Sequence, residues 1–321
     1  MPPIGELALP YRFTPKDRSA AAGVRRIARQ QVEAALSDLE DPERTLGERV
    51  HAVRRRCKKL RGLIQLVHPA FPDAKREDGT VRDAARLLAD LRDSDVLVET
   101  LDVLTAADDT LRLAAVPART ILLERRATAL SAADQSERAE RFRADFEAFL
   151  PRIDDWRFDA KGYALLEGGL MRTVRRMRRA MDTAQEEQDG EHLHEWRKEV
   201  KYHGHHLALL RELAPPLIDP LRDLADRLGL RLGLHHDLAV LADELGANVR
   251  MGNEDASRQL LKRAISQRSE ALAAEAFVIG RALASEKPRP LAARYARLWA
   301  NWQTGDRLSA EIVNGSDDDG R

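Results

Sequence analysis

The sequence predicts an all-α protein, on three observations. Ala, Leu and Arg dominate the 321 residues while aromatic residues make up only 5%, a composition that favours helix over sheet. Apolar residues recur at helical spacing along nearly the whole chain, and no alternating run of useful length reads as a strand. Breaks rich in Pro, Gly and Asp cut the pattern into segments of ordinary helix length.

In order, the predicted helices cover 17–40, 44–67, 80–106, 111–130, 133–149, 162–188, 191–213, 217–246, 253–285 and 289–303. The segment "HPAFPDAKREDG" (68–79) separates the second helix from the third, and Pro117 is read as a break in the fourth. Further breaks fall at "PRIDDWRFDAKG" (151–162), "APPLIDP" (214–220), Gly252–Asn253 and "EKPRP" (286–290). This gives an N-terminal extension (1–16), a helical region (17–303) divided into halves 17–150 and 151–303, and an acidic tail (304–321) expected to be disordered.

Basic and acidic residues balance at 53 each, which argues against coating nucleic acid through overall basicity and makes any anion site local. The single cysteine, Cys57, excludes an internal disulfide framework and suits a reducing compartment. No apolar run approaches the roughly 20 residues needed to cross a bilayer, and the N-terminus lacks a signal-peptide core. The expectation is a soluble cytoplasmic protein without a membrane partner.

The break at 151–162 divides two related halves. Val50, Val53, Cys57, Leu60, Ile64 and Val67 form an apolar stripe. Shifted by 143 residues, the stripe becomes Leu193, Trp196, Val200, His203, Leu207 and Leu210. Beside it, "HAVRRRCKKLR" (51–61) places His51, Arg54, Arg55 and Lys58 against His194, Arg197, Lys198 and Lys201. "LLADLRDSDVLV" (87–98) pairs with "RLGLHHDLAVLA" (231–242), setting Asp93 on Asp237. "GVRRIAR" (23–29) pairs with "GLMRTVR" (169–175), setting Arg26 on Arg172 and Arg29 on Arg175.

At about 100° per residue, Arg54, Arg55 and Lys58 lie within about 60° of His51, and the apolar stripe is centred about 150° away. The second half repeats this with Arg197, Lys198 and Lys201. Arg172, Arg175, Arg176 and Arg179 form one further face, opposite Leu170, Val174, Met177 and Met181. A solvated face normally mixes signs, because like charges at i,i+4 repel. One-signed faces on three helices predict a basic channel between the halves.

These residues resemble the CHAD family, named for its histidines and α-helical domain. "HAVRRRCKKLR", "HEWRKEVKY", "LADLRDSDVLV" and "LGLHHDLAVL" are similar to its twice-occurring motifs, and the resemblance covers about 17 to 303. It implies two four-helix bundles related by a pseudo-twofold axis, with a basic central pore that binds inorganic polyphosphate; members are found on polyphosphate granules. The motif histidines would fall on His51 and His194. The pore cations would be Arg54, Arg55, Lys58, Arg197, Lys198 and Lys201. The first-helix arginines Arg26, Arg29, Arg172, Arg175, Arg176 and Arg179 would join them. Two departures stand out. Gly204 replaces a usual arginine, whose place Arg61 fills in the first half, and Ala89 replaces a usual glycine. The expected consequence is less charge on one side of the pore. Many members carry a triphosphate-tunnel domain upstream, for which residues 1–16 are too short.

The chemistry agrees with that implication. Neutralising several closely spaced phosphates releases counterions and drives binding, arginine grips phosphate oxygens in pairs, and lysine acts as a point charge. None of the basic faces is interleaved with the aromatic residues on which single-stranded nucleic acids stack, so no sequence-specific nucleic-acid partner is expected. Histidines near the site would add pH-dependent donors. No cofactor or catalytic residue is predicted. A different class of function rests on His205, His206, His235, His236 and Asp237, which resemble the metal site of HD-type phosphohydrolases. Against it, the first half has Arg92–Asp93 at the equivalent place, and no Gly-rich phosphate loop or nucleophile–base pair is present. His203 is read as a core residue because Leu60 is its equivalent, and His235–His236 as a helix-start pair. Phe142, Phe146 and Phe149, Trp299 and Trp302, and Cys57 are read as core.

Overall fold

The structure, a computed structural model, describes residues 11–88, 90–128, 132–247 and 255–304. Most of the N-terminal extension and nearly all of the acidic tail lie outside the described residues, as do the side chains of Arg92 and Asp93. The described residues are helical without strands. Eleven α-helices are described: α1 (Ala20–Glu40), α2 (Leu46–Val67), α3 (Ala74–Leu87), α4 (Asp90–Thr105), α5 (Asp109–Thr128) and α6 (Ala132–Phe149) in the first half. The second half supplies α7 (Ala164–Glu187), α8 (Gly190–Leu210), α9 (Pro215–Ala247), α10 (Asp255–Leu283) and α11 (Pro288–Thr304).

Local chemistry sets the ends of the repeated helices. Thr45 and Glu48 form a reciprocal capping box at the start of α2, in which the Glu48 carboxylate accepts the Thr45 N–H at 2.8 Å. Asp189 caps α8 by accepting the His192 N–H at 2.8 Å, and Ser19 caps α1. α7 stops at Gln188, whose φ of 53° is left-handed.

Both apolar stripes face inward as predicted. Every stripe residue from Val50 to Val67 and from Leu193 to Leu210 is buried, His203 included. Phe142, Phe146 and Phe149 stack in the interior, and Trp299 packs edge-on against Phe13. The main core is continuous across the halves, drawing on α1, α2, α3 and α6 as well as α7, α8, α9 and α11. A smaller second core is also shared: Val98, Leu101, Ala118 and Leu122 of α4 and α5 meet Leu238, Leu241, Leu261 and Ile265 of α9 and α10.

The structure corrects four of these readings. The predicted helix 80–106 is two helices, and α3 begins at Ala74 inside the segment read as a break. Glu77, fully buried, holds that first turn by accepting from Arg76 at 2.9 Å and from Arg152 at 2.7 Å. Pro117 lies within α5 rather than ending it. The carbonyl deprived of an N–H partner belongs to Leu113, which is exposed and open to water. His235–His236 is not a helix start either, since both lie deep inside α9.

Close helix approach depends on glycine. A Cβ on Gly169 of α7 would stand 1.8 Å from the Leu66 carbonyl oxygen of α2, a backbone atom that cannot yield. Gly169→Ala is therefore expected to lower stability by about 3 kcal/mol or more, in the range of severe overpacking. Gly79 on α3 has nothing within 4 Å of such a Cβ. Gly79→Ala should raise stability by about 0.5–1 kcal/mol through helix propensity alone. Urea denaturation of both variants checks the pair, and equal effects would contradict the packing described.

Candidate functional site

α2 and α8 meet at positions that the internal repeat makes equivalent. A Cβ on Gly62 would lie 2.7 Å from the Cβ of His205, and His206 Nε2 lies 3.1 Å from the Gly62 carbonyl. A carbonyl only accepts, so the His206 proton is on Nε2. Where the first half has Leu60, Gly62 and Leu63, the second therefore sets His203, His205 and His206. Burial pushes the first two down to about 4 and about 3, with neighbouring lysines adding to the effect at His205, and drives His206 well below the usual histidine range.

The lysines acting on His205 are Lys201 of α8 and Lys59 and Lys58 of α2. Cations from both repeats thus converge on this crossing. Within "HAVRRRCKKLR" two charges are internally matched: Arg56 donates to the buried Asp38 at 2.8 Å, and Arg61 grips Asp78 through two bonds of 2.8 and 3.0 Å. Among the described residues Arg54 and Arg55 make no ion pair; Arg55, Lys58 and His51 are exposed and Arg54 is half-buried. Lys59 is held below the usual lysine range by burial and by Arg56 and Arg55. Cys57 points inward and burial raises its thiol to about 12, which removes it as a nucleophile.

On α8, Arg197 and Lys201 lie along the groove toward α9. A Cβ on Gly229 would meet Lys201 Nζ at 2.9 Å, and one on Gly233 would meet Arg197 Nε at 3.4 Å. The two glycines, one turn apart, leave room for both long side chains. Burial lowers both pKa values, and Asp237 and Asp226 oppose this at Arg197 and Lys201 respectively. Arg197 Nε is buried without a hydrogen-bond partner. Lys198 is exposed and bonded to Glu195 at 2.5 Å. His194 stacks on His236 with ring centroids 4.1 Å apart. Burial, then His236, Lys198 and Arg197, depresses it to about 4, so it is neutral at neutral pH and adds no charge to the face.

The first-helix arginines do not share one face. Arg26 pairs with Asp17 at 2.6 Å, and Arg29 with Asp154 at 2.5 Å, so both tie the chain together. Arg172 donates to Gln65 at 2.6 Å and Arg176 pairs with the buried Glu199 at 2.6 Å, turning these two toward α2 and α8. Arg175 and Arg179 line a separate cleft at the start of α11. Gly204 costs less positive charge than expected, because its equivalent Arg61 is already matched by Asp78. Sequence reasoning missed Lys59, Gly229 and Gly233. The i,i+4 glycine pair beside two long cations was the available signal for the last two.

The histidines of the phosphohydrolase reading are not brought together. His236 sits on His194, eleven residues before His205 on the same helix, or about 16 Å along its axis. Among the described residues no three His, Cys, Asp or Glu side chains form a group that could hold a metal.

The sequence matches the CHAD domain family over residues 26–246, more than half of its length. The chain belongs to the CHAD domain family. Among solved structures, this CHAD protein is similar to the crystal structure of the CHAD domain from the plant Ricinus communis, at 17% identity and a TM-score of 0.50. That likeness covers 82% of this chain and 89% of the plant chain, and it is a likeness of fold. No curated protein matches the chain. Among the described residues no helix is long and apolar enough to cross a membrane.

The depressed histidines set an acid limit on stability. Between pH 6.5 and about 4 the unfolded chain takes up protons at His203 and His194 that the folded chain refuses, so stability falls as pH falls through that window. Each such group contributes up to about 1.4 kcal/mol per pH unit. His203→Leu, which installs the side chain found at its repeat equivalent, is expected to reduce the stability lost between pH 7 and pH 5 by about 1–2 kcal/mol. Denaturant midpoints at the two pH values measure this, and an unchanged loss would show that His203 does not carry it.

Proposed function

We propose that this CHAD protein binds inorganic polyphosphate along the cationic faces of α2 and α8, without hydrolysing it, and that this binding places it on polyphosphate granules. The observation that carries the reading is the convergence of Lys58, Lys59 and Lys201, from both repeats, on the crossing at His205. Arg54, Arg55 and the partly buried Arg197 extend that positive surface in both directions. Cations whose charged forms are disfavoured by burial and by one another are stabilised when a polyanion arrives. A chain of phosphates supplies closely spaced charge without bases to read, which fits faces bare of stacking residues. Affinity should accumulate over many phosphates and fall steeply with salt as counterions are released.

The expected outcome of titration is tight binding of long-chain polyphosphate, weak binding of orthophosphate, and weaker binding of RNA at matched salt. Arg55→Glu with Lys58→Glu on α2 should weaken polyphosphate binding at least ten-fold. Arg197→Gln with Lys201→Gln on α8 should do the same, although the pairs are 143 residues apart in sequence. Arg138→Glu with Arg141→Glu on α6 should leave affinity within about two-fold. Thermal melting confirms that each variant folds. If only one helix matters, or RNA binds as tightly as polyphosphate, the reading fails.

A further inference from the structure

A second concentration of positive charge lies on the other flank of α7. A cleft of about 540 Å³ separates the stretch of that helix from Arg175 to Asp182 from the start of α11, and Arg175, Arg178, Arg179, Lys287 and Arg289 line it. Asp182 is the one acid on its walls. Among the described residues none of the five side chains makes an ion pair or hydrogen bond with another residue, and Arg178 Nη1 is buried with no partner. Nearby Glu286 does not relieve them, because it is bonded to Arg294 at 2.5 Å.

The helix start makes this arrangement more unfavourable. The first turn of α11 contains no acid, so Lys287 and Arg289 add positive charge to the positive end of the helix dipole. Proteins ordinarily place Asp or Glu there. The backbone itself offers little to a ligand: Pro288 and Pro290 lack an N–H, and the Leu291 N–H is already bonded to the Lys287 carbonyl at 3.1 Å. Recognition therefore falls to the guanidinium and ammonium groups, which favour phosphoryl oxygens. From Arg175 to Asp182 the wall runs about 10 Å along α7, the reach of a short oligophosphate.

We propose that this cleft is a second anion site, selective for a compact ligand with two or more linked phosphoryl groups, of which inorganic tripolyphosphate is the simplest. The site is independent of the polyphosphate surface on α2 and α8, since Arg172 and Arg176 turn toward those helices and Arg175, Arg178 and Arg179 turn away. Arg178, Lys287 and Arg289 have no matching set in the first half of the sequence.

Calorimetric titration of the full chain with tripolyphosphate tests this, using Lys287→Gln with Arg289→Gln and, separately, Arg197→Gln with Lys201→Gln. Both α11 residues are exposed, so their replacement spares the core. The expected result is saturable one-to-one binding that weakens at least ten-fold in the α11 variant and less than three-fold in the α8 variant. Long-chain polyphosphate should show the reverse order of sensitivity. Absence of saturable tripolyphosphate binding would overturn the proposal, as would equal loss in both variants or orthophosphate binding as tight as tripolyphosphate. Failure of long-chain polyphosphate to bind, with tripolyphosphate behaving as expected, would sink only the α2–α8 reading.

Discussion

The contact between α2 and α8 at Gly62 and His205 is the constraint on which the rest of the molecule depends. Only a residue without a side chain lets the second helix approach this closely, and Gly169 does the same where α7 reaches the backbone of α2. Because the helices meet at repeat-equivalent positions, a residue near the contact on one is matched by its own duplicate on the other. Lys58 and Lys201 are such a pair. Duplication thus doubles charge at one place, whereas the same cations on a single helix would stand at separate points along a solvated face.

Folding tolerates that concentration through selective neutralisation. Arg26, Arg29, Arg56 and Arg61 are each matched by a carboxylate. Among the described residues Arg54 and Arg55 are not, and Arg197 and Lys201 rest in the space that Gly229 and Gly233 leave open. Isolated like charges in water repel by roughly 1 kcal/mol at 4 Å and more as solvent is excluded, so the half-buried cations carry an unfavourable term in the free protein. Histidine meets the same pressure differently. His194, His203 and His205 lose their charge to burial, so the crossing is built of neutral rings beside obligate cations.

The all-α architecture was legible because nearly every helix carries a continuous apolar stripe, and the duplication because stripe and cations shift together. What the sequence hid follows from partners far along the chain. The first turn of α3 reads as a polar loop until Arg152, 75 residues on, is seen to satisfy the buried Glu77. Arg29 reads as a wall cation until Asp154 is found beside it. Pro117 reads as a helix stop because local rules cannot tell that the carbonyl it orphans faces water. Arg172, Arg175, Arg176 and Arg179 of α7 share an arc of about 100° on a helical projection, but whether an arc faces one neighbour or two depends on where α11 begins.

Whether a cation already has a carboxylate partner separates charge that builds the molecule from charge left open to a ligand. An arginine bonded to a carboxylate from a distant segment is already stabilised in the free protein, and a phosphate arriving there would have to displace that partner. An arginine or lysine left unmatched while partly shielded from water gains more from an arriving phosphate than a fully solvated one would. By that criterion the basic residues divide. Arg26 and Arg29 hold segments together. Arg197 is half-buried with its Nε unbonded, and Lys287 and Arg289 stand at the start of a helix whose first turn holds no acid. Net neutrality over the whole chain means that any attraction for a polyanion arises locally, from such clusters of cations.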